Sequence, residues 1–150
     1  KSLPNSMFRP LSLALFGATL LLAACQSKGS QASERRRQAE AQARSFLVEA
    51  RAYLQQHDFA RARQRIYAMR DSCRYALEAR EEGIVLLDSV ELLMAQHHLQ
   101  GVDGRLLAAQ ERGAMAEAER LQRQFDEICR QVKFYQRKLQ YDKQQRRSHP

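Results

Sequence analysis

The sequence predicts an all-α protein: a helical hairpin followed by a long, antiparallel, coiled-coil-like helical hairpin. Three observations lead there. Only 3 prolines and 6 glycines occur in 150 residues. Ala, Leu, Arg, Gln and Glu, all good helix formers, dominate from residue 25 onward, while the β-branched residues that favour sheets are few. Apolar residues recur at spacings of three and four, the period of one helix face. The length suits one domain with a modest core.

The elements follow in chain order. Residues 11–22 read Leu-Ser-Leu-Ala-Leu-Phe-Gly-Ala-Thr-Leu-Leu-Leu, an apolar run preceded by Arg9. The run is short for a bilayer span and has the length of the apolar region of a signal peptide. Met7 reads as the natural start, because Met-Phe-Arg-Pro then supplies a short basic leader. Ala23 and Ala24 give the small residues that a cleavage site needs, and Cys25 follows.

Leu22-Ala23-Ala24-Cys25 resembles the lipobox of bacterial lipoproteins. The resemblance covers about residues 7–25. It implies removal of residues 1–24, a lipid on the Cys25 thiol, and attachment to a membrane of the bacterial cell envelope. Gln26 in place of Asp points, by the sorting rule of some Gram-negative lipoproteins, to the outer membrane. One acyl chain anchors marginally and two or more hold firmly, since each buried methylene contributes about 0.8 kcal/mol. Residues 25–33, polar and small after the cysteine, read as a lipid anchor and tether.

Residues 34–74 form the first hairpin. Ala39, Ala43, Phe46, Ala50, Tyr53 and Leu54 make one apolar stripe over about residues 34–56. His57-Asp58 interrupts it, with Asp58 placed to cap the next helix. Phe59, Ala62, Ile66, Met69 and Cys73 continue at helical spacing. So short a connection predicts antiparallel packing. Phe46, Ala50, Tyr53, Phe59, Ala62 and Ile66 fall at the aromatic, small and apolar positions of a tetratricopeptide-type repeat, which the hairpin resembles. Glu49 and Arg74 depart from that pattern, and no second copy follows at its period. The resemblance supports a helical hairpin and not a peptide-binding groove.

Residues 75–145 form the long hairpin. Ser72-Cys73-Arg74-Tyr75 carries the turn, and helix resumes at Leu77. Val85, Leu92, Leu99 and Leu106 lie seven apart, and Leu86, Val90, Leu93, Val102 and Leu107 widen that face. Gly83, Gly101 and Gly104 each weaken a helix by about 1 kcal/mol relative to Ala, so the last two mark a bend or break. Gly113 is the next turn. Ala114, Ala118, Leu121, Phe125, Ile128, Val132, Tyr135 and Leu139 form a coiled-coil seam. A helix over 114–143 is about 45 Å long at 1.5 Å per residue. Its match in length to 84–112 favours folding back within the chain. Pairing of residues 114–139 in a homodimer is the alternative.

Charge and chemistry bound the function. The chain carries +8, or +6 without residues 1–24, which hold Lys1 and Arg9. Lys133, Arg137, Lys138, Lys143, Arg146 and Arg147 stand against Asp142 alone after residue 132, with 146–150 a basic tail. Together with Arg35-Arg36-Arg37, such clusters bind anions or remain a solvated face. His97 and His98 are adjacent rather than three or four apart, so no metal site is expected. No phosphate loop, nucleophile elbow or HExxH pattern occurs, so no catalytic residue and no cofactor is expected. A hydrolase would need a clustered polar pocket that the sequence does not offer. Cys73 and Cys129 are candidates for a disulfide joining the first hairpin to the last helix, or else two buried thiols.

The leading expectation is a non-enzymatic, membrane-anchored envelope lipoprotein acting as a scaffold or accessory with a protein partner. The alternative is a binder of an anionic polymer or lipid headgroup through the basic C-terminal segment. Nucleic acid is not expected as a partner.

Overall fold

The computed structural model describes the backbone of residues 11–148 and the side chains of residue 29 and residues 31–148. Four helices follow one another: α1 (Leu11–Gln55), α2 (Phe59–Ser72), α3 (Leu77–Glu111) and α4 (Met115–Ser148). Residues 1–10 and the side chains of 11–25 lie outside the described residues, and with them the signal-peptide and lipobox readings. Among the described residues no helix is long and apolar enough to cross a membrane.

The chain divides after Gln38 into two compact units, within the continuous helix α1. In the first unit the expected tether, residues 25–33, is helical. No proline interrupts it, and Glu34 accepts from Arg37 and, at 3.1 Å, from Gln38, one turn of helix away. All further packing described belongs to the unit from Ala39 onward.

Two devices shape the first connection. His57 takes the left-handed conformation (φ 58°) after α1. The His57 amide donates to Leu54 O at 3.0 Å and the Asp58 amide to Tyr53 O at 2.9 Å, the paired bonds of a Schellman end. Asp58 then caps α2, its carboxylate accepting from the Arg61 amide at 3.0 Å. The α3–α4 connection repeats the first device at Gly113 (φ 68°), where Ala114 N donates to Ala109 O at 2.9 Å.

The start of α3 is capped from elsewhere in the chain. Ala76 precedes the helix and offers no side-chain cap. Glu40 of α1 supplies one: its two carboxylate oxygens accept from the amides of Glu78 at 2.9 Å and Ala79 at 3.1 Å. A buried carboxylate is tolerable there because the helix N-terminus presents unpaired N–H groups and partial positive charge.

Two apolar clusters lie along α3. The first joins Ala43, Leu47 and Ala50 of α1, Ala62, Ile66 and Met69 of α2, and Ala79, Leu86 and Val90 of α3. Gly83 sits at the tightest point, where an added Cβ would stand 2.6 Å from Met69 Cε. This closeness accounts for a glycine that propensity alone disfavours. Glu49, the departure from the tetratricopeptide pattern, pairs with Arg65 of α2 at 2.9 Å.

The second cluster joins Ala95, Val102, Leu106 and Ala109 of α3 to Ala118, Leu121, Ile128 and Val132 of α4. The seam of residues 114–139 is therefore covered by α3 of the same chain. Three expectations change. α3 runs unbroken through Gly101 and Gly104, because the packed seam on the other face outweighs their propensity cost. Leu93 and Leu107 are exposed, since each lies one position beyond a seam residue and points off it. Arg146 and Arg147, assigned to a tail, belong to the last turn of α4, where cations suit the negative end of the helix dipole.

Candidate functional site

α3 and α4 run antiparallel, with Asp88 against Lys138, Glu82 near Arg146 and His98 beside Gln124. Along α3 the seam is Val85, Asp88, Leu92, Ala95, Leu99, Val102, Leu106 and Ala109, alternating in steps of three and four. Along α4 the step after Leu139 is Asp142. Two aspartates thus occupy slots that the pattern reserves for apolar side chains.

Asp88 is only 3% exposed, because α1 and α2 cover one side of α3 here and α4 covers the other. Lys138 reaches in from the flank of α4 and its Nζ donates to Asp88 Oδ1 at 2.5 Å and to Asp142 Oδ2 at 2.9 Å. Asp88 Oδ2 is buried without a hydrogen-bond partner. Burial pushes the Asp88 carboxyl above the usual carboxylate value. Lys138 offsets part of this, and Asp142 adds to it. Asp142 is held below its usual value by its polar neighbours, Asp88 first and then Lys138. Burial pulls the Lys138 ammonium down, but the two carboxylates more than offset it and its pKa stands above the ordinary value. As pH falls, Asp88 therefore takes up a proton before Asp142 does. A polar layer of this kind fixes which residues of two helices face each other.

The basic cluster expected from sequence divides in three. Lys138 is consumed by the buried layer. Arg146 lies 3.9 Å from Glu82, a loose pair. Lys133, Arg137 and Lys143 remain together along one surface groove between α3 and α4, floored by Leu92 and Leu139. No ion pair among the described residues engages these three, and Arg147 stands exposed beyond them. Sequence reading missed the adjoining aromatic face. Phe134 and Tyr141 are 59% and 60% exposed and line a second surface depression with Arg137 and Lys138. Their spacing of seven, two turns of helix, was the available signal.

Of the two alternatives for Cys73 and Cys129, a disulfide or free thiols, the structure has free thiols, Cys73 buried and Cys129 partly exposed. Cys73 ends α2 before the first turn of α3, while the antiparallel register sets Cys129 near the level of His97. About 20 residues separate those levels, or about 30 Å of helix, whereas a disulfide needs Cα atoms within about 7 Å. Burial, and then the nearby Glu40 carboxylate, raise the Cys73 thiol above its usual pKa.

Among the described residues, three histidines lie at the surface and make local contacts. His57, Phe59 and His97 form a ring cluster with centroids 5.8 to 6.4 Å apart, and His98 lies 3.4 Å from Gln124 Nε2. Among the described residues no group of three or more His, Cys, Asp or Glu is arranged to hold a metal ion. Comparison with family models, curated proteins and solved structures finds no match to this chain.

Proposed function

We propose that this protein is a lipid-anchored lipoprotein of the bacterial cell envelope, a non-enzymatic scaffold or accessory that works through its helix surfaces. The observation that carries the reading is Leu22-Ala23-Ala24-Cys25 directly after the apolar run of residues 11–22. Cys25 would receive the lipid, and the helices beyond it would meet a protein partner. The buried carboxylates of Glu40 and Asp88 serve a helix cap and the Asp88–Lys138–Asp142 layer, which supports a reading in which the helix surfaces act. Metabolic labelling with a fatty acid, followed by mass spectrometry of the N-terminal peptide, tests the anchor. Label on Cys25, lost in Cys25→Ser, is the expected result. An unmodified Cys25 in membrane-extracted protein overturns it.

A second reading, contact with an anionic polymer or headgroup through the basic C-terminal segment, is favoured by Lys133, Arg137 and Lys143 sharing one groove without an ion-pair partner among the described residues.

A further inference from the structure

We infer that the outer face of α4 lies against an anionic lipid bilayer, with Phe134 and Tyr141 seated among the acyl-chain boundary and Lys133 and Arg137 on the headgroups. The inference deepens the second reading above and does not depend on acylation of Cys25.

The argument begins with what α4 has left over. Its inner face is spent on α3 through Leu121, Ile128 and Val132. Residues 134, 137 and 141 are spaced by three and four, so they stand on one face. That face is turned from the seam, and it exposes two large aromatic side chains about 10 Å apart along the axis. Single exposed apolar residues need no explanation, but aromatic and cationic side chains alternating along one helix face are the pattern of helices that lie in a membrane interface.

Charge complementarity selects the occupant. Beyond residue 132 the only acidic side chain is Asp142, and it is turned to Lys138 rather than displayed. Glu127 on the preceding turns is paired with Arg130. Lys133 and Arg137 flank the aromatics, with Lys143 and Arg147 farther along the groove side. Arg137 belongs to both the aromatic depression and the basic groove, so one surface can place ring and guanidinium at the same depth. Basic residues near an anionic leaflet each add to adsorption, and salt screens them. The face lies on one unbroken helix, and a bilayer surface accommodates a helix lying along it without a groove.

The chain contains no tryptophan, so Phe134→Trp creates a single reporter on this face in the full-length chain. The unacylated protein carrying it is mixed with vesicles of phosphatidylcholine and phosphatidylglycerol, and with vesicles of phosphatidylcholine alone. A blue shift and quenching by brominated acyl chains are expected on the anionic vesicles only, with affinity lowered about tenfold or more when Lys133→Glu and Arg137→Glu are combined or when salt is raised. Tyr67→Trp, an exposed position on α2, is expected to stay in water in the same mixtures. A reporter at 134 that remains water-exposed on anionic vesicles overturns the inference. So does a blue shift that grows with protein concentration alone, which assigns the face to a second copy, or tighter binding to polyuridylate than to vesicles, which assigns it to an anionic polymer. Because the probe reads residue 134 and not the anchor, its failure and a failure of Cys25 acylation are separate results.

Discussion

Replacing Lys138 with Met removes the only cation from the buried layer and leaves Asp88, whose side chain is 5% exposed, beside Asp142. Two unit charges 4 Å apart interact by about 4 kcal/mol at an effective dielectric of 20. The Lys138 side chain is 40% exposed, and solvent screening there takes about half of that, leaving about 2 kcal/mol. For a unit of this size, that loss lowers Tm by roughly 10 °C. The loss depends on pH, and its sign follows from Asp88. A carboxyl with a raised folded-state pKa favours the folded state below its unfolded pKa, and that contribution is lost as pH rises through the folded pKa. Without the ammonium the folded pKa rises further, so protonation relieves the variant as the solution is acidified. Urea denaturation of wild type and Lys138→Met at pH 7 and pH 4 measures this directly. The deficit is expected to be largest at pH 7 and to shrink at pH 4. Adding Asp88→Leu is expected to restore most of the stability, since an apolar pair can replace a buried ionic one. A deficit equal at both pH values, or a double variant no better than Lys138→Met, refutes the reasoning.

Glu40→Ala strips the start of α3 of its two side-chain acceptors and is expected to cost about 2 kcal/mol, with faster hydrogen exchange at the Glu78 and Ala79 amides; unchanged exchange contradicts the capping role. Gly101→Ala and Gly104→Ala place a methyl in open space within a continuous helix, so each is expected to stabilise by about 1 kcal/mol in thermal melts. Gly113→Ala forces a Cβ into the left-handed region and is expected to destabilise by about 1 kcal/mol, by the same measurement. Both cysteines are expected to alkylate without prior reduction, Cys129 in the folded protein and Cys73 only on unfolding, because Cys73 is buried and its thiol pKa is raised; mass spectrometry showing a linked pair refutes this.

Much of the fold was legible locally. The Asp58 cap, the start of α3 at Leu77 and the turn at Gly113 depend on neighbouring residues and on a few φ values, and chain order displays both. The α4 seam was legible because its apolar residues repeat without exception from Ala114 to Leu139. The candidate site was legible only as a charge run. Counting Lys133 to Arg147 as one basic cluster ignores direction, and direction separates Lys138, turned inward, from Lys133 and Arg137, turned outward.

Composition and periodicity by themselves determined that this chain is all-α, that it folds as two hairpins, and where most of the helices begin and end. Helix propensity and apolar spacing act within a few residues, so they can be read along the chain. The tertiary structure alone decided that Glu40 caps a helix 38 residues away, that Asp88 and Asp142 occupy seam slots with Lys138 between them, and that Cys73 and Cys129 stay apart. Each of these depends on which residues of different helices meet. That register comes from the two apolar clusters and the polar layer together, which no local pattern contains.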